Sequence, residues 1–295
     1  MGKRILQIAL AAMTAGVVVI GGIWLKARPA AMHPYFASDD FMVIAHRGGR
    51  GLGPENTLPA LRLSLAAGAD VLEMDVRTTA DGHLIVLHDD SVDRTTNGHG
   101  AVSEMTLAQV KKLDAGYHWT ADGGGSFPFR DRGITIPTLR EVFAAVPDTP
   151  LIMELKENRP TISQLVCAEL RYQNRTASVL VASLHSGVLE RLRKVCPQVA
   201  TSAGPSEAMR FYVLSRMGLT ALYSPVEKAL LVPKTVKGRK LVSHKFVEAA
   251  HARNLKVAVW TVNAGEDMRR LIAVGVNGIL TDYPDRLSGI VEEKP

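Results

Sequence analysis

The chain alternates short apolar runs, which are typical of buried strands, with helical patterns over about 250 residues. Parallel strands need a crossover of a dozen or more residues between them, and a helix usually supplies it. The alternation therefore predicts an α/β fold, a (β/α)8 barrel of the TIM type. An open doubly wound sheet is the alternative, and it is disfavoured because no Gly-rich dinucleotide turn follows the first run. The strand-like runs are 42–46, 71–76, 84–88, 151–155, 178–182, 199–203, 219–223, 256–262 and 277–281, and the helical stretches include 57–67, 160–172, 187–195, 243–253 and 266–274.

Nine runs are one too many for an eight-stranded barrel, and the spacing of the second and third runs suggests why. Only seven residues, 77–83, separate them, and these include the turn signal Asp81-Gly82. We therefore expect these two runs to form an antiparallel hairpin. With Asp81 and Gly82 as a two-residue loop, His88 lies directly opposite Asp75, with their Cβ atoms about 5 Å apart.

The N-terminus carries an uncharged stretch of 21 residues, Ile5 to Leu25, which is long enough to cross the hydrocarbon core of a bilayer. A cleavable signal peptide is the rival, although its apolar region usually spans only about 7–15 residues. Basic residues flank the stretch on both sides, so charge determines its orientation only weakly. We expect a single-pass membrane anchor over residues 1–26, a transmembrane helix with the catalytic domain on the extracytoplasmic side.

After the anchor we expect a linker over residues 27–40 and the barrel domain over residues 41–295. Residues from about 96 to 135 are irregular and rich in glycine and aromatic side chains. A long loop on a barrel usually borders the active site as a lid or small subdomain. The chain thus predicts a small insertion there, after His88.

The charge balance and the cysteines limit the function classes. A net charge of +6 suits an anionic substrate or an anionic membrane surface. No basic run with interleaved aromatics is present, so we expect no nucleic-acid partner. Cys167 and Cys196 have neither CxxC nor zinc spacing. We expect two packed free thiols, with a disulfide as the alternative if the domain is exported.

Several apolar runs end in acidic side chains. Glu73 and Asp75 lie two apart in one run and so share a face, as do Glu154 and Lys156 in another. Three carboxylates at one point repel each other, and a hard divalent cation would remove that cost. Oxygen ligands suit Mg²⁺ or Ca²⁺ rather than zinc. The pattern predicts a metal site of Glu73, Asp75 and Glu154, with ordinary buried salt bridges as the alternative.

Two histidines also end strand-like runs, His46 and His88. Histidine is the usual acid or base near neutral pH. A pair beside three carboxylates is typical of a site in which one histidine takes a proton and the other gives one. The neighbouring cations, Arg47 and Lys156, are natural partners of phosphate oxygens, or they balance the acidic cluster.

Three further features are open to more than one assignment. Trp260 closes the 256–262 run and offers either an aromatic wall to a substrate or ordinary core packing. Asn56 or Thr57 is expected to cap the next helix. Glu55 either reaches the metal or the first histidine, or has a structural role.

With these motifs, the chain from about residue 42 to 288 resembles the glycerophosphodiester phosphodiesterase family. Any one motif is weak, but the ordered set is highly specific. The chain departs from the family pattern at Asn277, where aspartate is usual, and at Ser183-Leu184-His185, where serine-phenylalanine-aspartate is more common. The matching segments are His46-Arg47-Gly48-Gly49, Pro54-Glu55-Asn56-Thr57, Gly68-Ala69-Asp70, Thr79-Ala80-Asp81-Gly82, His88-Asp89, Asp93-Arg94-Thr95-Thr96, Ile136-Pro137-Thr138-Leu139, Glu154-Leu155-Lys156, Trp260-Thr261-Val262-Asn263 and Thr281-Asp282-Tyr283-Pro284, together with Glu73 and Asp75.

The resemblance implies a phosphoric diester hydrolase that cleaves glycerophosphodiesters to glycerol 3-phosphate and an alcohol. It implies that His46 and His88 are the acid–base pair and that Arg47 and Lys156 bind phosphate. A membrane-anchored lysophospholipase D is a close alternative with the same chemistry. A non-catalytic phosphodiester-binding module is the alternative from another class, and it would not need two proton carriers.

Overall fold

The computed structural model describes residues 27–236 and 238–293. The predicted anchor, residues 1–26, lies outside the described residues. Within the described part of the chain, none of the helices has both the length and the apolar character needed to cross a bilayer.

Eight parallel strands form a nearly continuous ring. β1 pairs with both β2 and β11, β2 also pairs with β4, and β4, β5 and β6 follow in turn. β11 continues through β10 to β7, and a single bridge between Ser202 and Ala229 links β6 to β7. The predicted (β/α)8 barrel is thus confirmed. The eight strands are β1 Met42–Ala45, β2 Val71–Thr78, β4 Leu151–Leu155, β5 Val179–Ala182, β6 Ala200–Thr201, β7 Ala229–Pro233, β10 Lys256–Trp260 and β11 Gly278–Thr281, while β3 Leu84–Val86 pairs antiparallel with β2, and β8 Thr235–Val236 with β9 Arg239–Lys240 forms a separate ribbon.

The helices cover the outside of this ring. Apolar side chains of both layers, such as Leu72 and Met74 of β2, meet in the space between the strands and the helices. Side chains at alternate positions, such as Val71, point instead into the barrel and pack together in its interior. The helices are α1 Leu58–Ala66, α2 Leu107–Val110, α3 Leu139–Ala145, α4 Pro160–Tyr172, α5 Ser186–Val195, α6 Pro205–Met217, α7 His244–His251, α8 Gly265–Val274 and α9 Pro284–Glu292.

The expected hairpin forms between β2 and β3, but its register differs from the prediction by one residue. The backbone N–H of Thr79 donates to the carbonyl of His83 (3.0 Å), so three residues, 80–82, make the loop. Asp75 consequently faces Leu87, whose N–H donates to the Asp75 carbonyl (3.0 Å). The predicted pairing of His88 with Asp75 is wrong, and His88 lies beyond the end of β3.

One predicted strand is also wrong. The run 219–223 is not a strand, because α6 ends at Gly218 in the left-handed conformation and the N–H of Leu219 turns back to the carbonyl of Leu214 (2.9 Å). Residues Thr220–Leu222 then form a 3-10 turn. The seventh barrel strand follows ten positions later, at Ala229–Pro233.

Cys167 of α4 and Cys196, which ends α5, form a disulfide. Their Cα atoms are 5.6 Å apart, and both residues are buried between neighbouring helices. The expectation of two free thiols is therefore wrong, because helix packing brings together two cysteines that are 29 positions apart.

The chain between β3 and α3 has an apolar cluster of its own. Val92, Val102, Val110 and Ala115 pack with Ile85 of β3. On its side facing the barrel, the indole N–H of Trp119 donates to the carbonyl of Arg50 (2.9 Å). This segment therefore borders the rim of the barrel at which β1 ends.

Candidate active site

Three carboxylates meet where the parallel strands end. In the register of β2 and β4, Asp75 is paired with Glu154, and Glu73 lies on the same face of β2 as Asp75. Glu73, Asp75 and Glu154 each offer an oxygen, and these oxygens lie within 4.8 Å of one another. The structure thus brings together the three residues predicted to hold a metal ion.

Burial and, next, charge repulsion act on the carboxyl group of Glu73 in this cluster. Burial raises the pKa of Glu73 well above its ordinary value, and the neighbouring Asp75 raises it further. The backbone N–H of Arg47 opposes this by donating to Oε2 of Glu73 (2.7 Å). An oxygen-only donor set with surplus negative charge fits a hard divalent cation, such as Mg²⁺ or Ca²⁺.

Asn56 fixes the position of Asp75 by two hydrogen bonds. Its side-chain amide donates to Oδ2 of Asp75 (2.9 Å), and its carbonyl oxygen accepts from the Asp75 backbone N–H (3.2 Å). Thr57, not Asn56, caps α1, because its hydroxyl accepts from the N–H of Ala60. Asn56 is therefore a site residue that sequence reasoning assigned only as a candidate cap.

The two predicted phosphate-binding cations lie at this cluster. Nζ of Lys156 is 3.1 Å from Glu154 and 3.4 Å from Asp75. The Arg47 guanidinium donates to Glu55 (3.0 Å), while its buried Nε makes no hydrogen bond among the described residues and has only an ion-pair contact with Oδ2 of Asp75 at 3.8 Å. An unsatisfied buried donor is costly, so Arg47 is suited to an anionic oxygen in the cavity.

His46 is oriented by Asp282. Nδ1 of His46 lies 2.7 Å from Oδ1 of Asp282. Nε of Arg50 forms an ion pair with the same oxygen (3.0 Å), and the side-chain amide of Asn263 donates to Oδ2 of Asp282 (2.7 Å). Burial would raise the pKa of Asp282, but the bond from His46 and these other partners lower it to about 2. An ionised carboxylate only accepts hydrogen bonds, so Nδ1 carries the proton and Nε2 is the basic nitrogen.

His88 has a matching partner in Asp89. Its Nδ1 is 2.6 Å from Oδ1 of Asp89, and Arg77 donates twice to the His88 carbonyl (3.0 and 2.9 Å). Burial would raise the pKa of Asp89, but hydrogen bonds from Arg94 and His88 lower it to about 2. Both histidines therefore present Nε2 as the nitrogen free for proton transfer.

A cavity of about 210 Å³ unites these groups. Its walls include both histidines, Arg47, Lys156 and Trp260. Glu73 and Glu154 also line the cavity, and Asp75 is almost fully buried next to them. All the predicted site residues thus converge at one rim, while their chemical roles stay predictions.

Two sequence-based interpretations of neighbouring residues need revision. Glu55 does not reach a histidine or the carboxylate cluster but binds Arg47 and Arg94. Asp282 was quoted only as part of a motif, although it ends the apolar run of β11 as the other acidic residues end theirs. The same signal, a titratable residue directly after a buried strand, would have identified it.

The departures from the family pattern fall in two different places. Asn277 precedes β11 at the opposite end of the strands from the site, where its side-chain oxygen accepts from the N–H of Val257 (2.8 Å). Leu184, in contrast, lines the cavity beside Trp260.

The chain is similar to known phosphodiesterases in sequence and in fold. Residues 46–286 match the model of the Glycerophosphoryl diester phosphodiesterase family. A glycerophosphodiester phosphodiesterase of Caldanaerobacter subterraneus is 33% identical over 260 residues, which cover 85% of this chain and 98% of that protein. An Oleispira antarctica phosphodiesterase, solved with the product sn-glycerol-3-phosphate, is 26% identical, with 85% and 96% of the two chains covered and a TM-score of 0.68. The glycerophosphoryl diester phosphodiesterase domain of a Mycobacterium tuberculosis protein shares the fold at 21% identity, with a TM-score of 0.75 and 85% and 98% coverage.

Proposed function

This chain belongs to the glycerophosphoryl diester phosphodiesterase family, and from that premise we propose that it hydrolyses glycerophosphodiesters to glycerol 3-phosphate and an alcohol by a metal-dependent, two-histidine mechanism. The observation that carries the proposal is the pair of histidines over one cavity, each with Nδ1 bound to an ionised carboxylate. Both imidazoles are thereby prepared to exchange protons through Nε2.

The acidic cluster and the two cations would position the phosphodiester. Glu73, Asp75 and Glu154 would hold Mg²⁺ or Ca²⁺, which supplies positive charge to the phosphoryl oxygens when bound. Arg47 and Lys156 would contact the same oxygens, because Arg47 has an unsatisfied Nε and Lys156 faces the cavity. Trp260 would form an aromatic wall for the organic part of the substrate.

The histidines would carry the proton transfers. One imidazole takes a proton from the nucleophile, which is either water or the neighbouring glycerol hydroxyl, and the other gives a proton to the departing alcohol. Asp282 and Asp89 would stabilise each imidazolium as it forms, since they accept from Nδ1 of His46 and His88.

The test replaces each histidine in turn. We expect His46→Ala and His88→Ala each to lower turnover of glycerophosphocholine about a hundredfold or more, as is typical of lost acid–base catalysis. His99→Ala is the matched control, because the side chain of His99 is 88% exposed and, among the described residues, its one ion pair is with Asp93 in the insertion. Near-normal turnover by both active-site variants would end the assignment.

A phosphodiester-binding module without catalysis is disfavoured by the same pair of histidines, because binding alone needs no proton carriers. Release of glycerol 3-phosphate with added Mg²⁺ or Ca²⁺, abolished by a chelator, separates the two functions. Binding without any product release would favour the module.

For the location of the domain, we propose a single-pass anchor within residues 1–26 that holds the barrel on the extracytoplasmic side. Two features support this: the uncharged stretch from Ile5 to Leu25 and the Cys167–Cys196 disulfide, a bond that is rare in reducing compartments. Protease added to spheroplasts of a bacterial host should digest the barrel domain. Digestion only after the membrane is permeabilised would place the domain in the cytoplasm.

A lysophospholipid would undergo the same chemistry, and it is the second candidate substrate. A specific observation favours it: an apolar groove adjoins the catalytic cavity, and Trp260 and Leu184 line both.

A further inference from the structure

The groove next to the catalytic cavity is built from uncharged side chains. It has a volume of about 490 Å³ and runs between the end of β7, α6 and the β8–β9 ribbon. We call it the apolar groove; its principal walls are Leu184, Met209, Tyr212, Val236, Leu241 and Trp260. None of the described residues that line it carries a charge.

The apolar groove adjoins the catalytic cavity and shares a wall with it. Ser183, Leu184, Ala203, Leu231 and Trp260 line both. A molecule whose phosphodiester lies at the histidines could therefore extend directly into the groove without leaving the protein surface.

The mouth of the groove exposes apolar side chains. The structure describes nine exposed large hydrophobic residues, and three of them, Leu184 (59%), Met209 (56%) and Val236 (40%), line this groove. Grouped exposed apolar side chains mark binding surfaces, whereas single ones need no explanation. A polar headgroup or a sugar would find few partners there, but a hydrocarbon chain would be removed from water.

Resting on the proposed phosphodiesterase function, we propose that the apolar groove binds the single acyl chain of a lysophospholipid whose phosphodiester is cleaved at His46 and His88. The P–O bond to the headgroup alcohol breaks, and the oxygen of water takes its place on phosphorus. One hydrogen of that water goes, through the histidines, to the leaving alkoxide. The products are acylglycerol 3-phosphate and the free headgroup alcohol.

A chain-length series tests this. The full chain in nanodiscs is assayed for kcat/KM with glycerophosphocholine and with 1-acyl-glycerophosphocholines whose acyl chains have four, six or eight carbons. All substrates are kept monomeric, at concentrations below micelle formation. Each methylene that enters the groove should raise kcat/KM about fourfold, because burying a CH₂ contributes about 0.8 kcal/mol. Hydrolysis of glycerophosphocholine without any rise along the series would overturn the groove assignment, whereas hydrolysis of none of the four substrates would overturn the proposed function itself.

Two variants on α6 locate the effect. Met209→Asp places a charge in the groove, and we expect the preference for the eight-carbon substrate over glycerophosphocholine to fall about tenfold or more. Met217→Asp is the matched control, because Met217 is 63% exposed on the same helix and does not line the groove. An equal preference in Met209→Asp and Met217→Asp would refute the proposal, as would faster cleavage of a diacyl phospholipid than of its lysophospholipid.

Discussion

The Cys167–Cys196 disulfide offers the sharpest test of the structure. It joins α4 to α5, and its two cysteines are 29 positions apart. In the chain-entropy description, a cross-link over that separation destabilises the unfolded state by about 3.6 kcal/mol. Since about 1 kcal/mol changes the melting temperature of a domain of this size by about 2–4 °C, loss of the bond should lower Tm by about 7–14 °C.

The assay compares oxidised and reduced protein of unchanged sequence. Because both cysteines are buried, the protein is reduced while unfolded and then refolded with dithiothreitol present. Thermal unfolding is followed by circular dichroism in the same detergent for both forms. The variant Cys167→Ala/Cys196→Ala is the control, since dithiothreitol should leave its Tm unchanged.

If the free energy of unfolding differed by less than about 1 kcal/mol between the oxidised and the reduced protein, the reasoning would be refuted. The cross-link would then impose no significant constraint on the unfolded chain. A thiol-labelling experiment completes the test. We expect the unfolded but unreduced protein to react with no maleimide, and reaction at both cysteines would show that the bond does not form.

Three further predictions concern the site. Asp282→Asn should lower kcat for glycerophosphocholine about a hundredfold or more with little change in KM, because the amide no longer holds His46 in the tautomer with basic Nε2; an unchanged pH–rate profile would contradict this. The pKa of Asp282 is about 2 rather than its ordinary 3.8, so its ion pairs contribute about 2 kcal/mol of stability above pH 4 that is lost as the pH falls towards 2; acid unfolding of Asp282→Asn should lack this contribution. Glu154→Gln removes one charged oxygen ligand and should weaken Mg²⁺ or Ca²⁺ binding at least about tenfold by isothermal titration calorimetry, whereas unchanged affinity would place the ion elsewhere.

The barrel itself was predictable because its causes are local. Buried parallel strands are apolar throughout and helices alternate with them, so the periodicity of the chain reveals the order of elements. Burying a titratable side chain at the end of such a run, as at Glu73, His46 or Glu154, costs free energy unless the side chain is paired or binds a metal. For this reason the residues of the candidate site could be predicted from the sequence.

Details that depend on turns and helix ends were not predictable in the same way. Asp81-Gly82 suits either a two-residue or a three-residue loop. The hydrogen bonds that Thr79 donates to His83 and to Asp81 stabilise the three-residue loop. A single residue of loop length moves every pairing in the hairpin, and this moved the partner of Asp75 from His88 to Leu87.

By itself, the sequence determined the fold class and the kinds of side chain at the site, since both follow from patterns within short segments. Only the tertiary structure decided which distant groups pair. His46 and Asp282 are 236 positions apart, and they meet because β1 lies beside β11 with Ala45 opposite Thr281. His46 and Asp282 directly follow Ala45 and Thr281, and they become neighbours because closure of the barrel joins the first strand to the last.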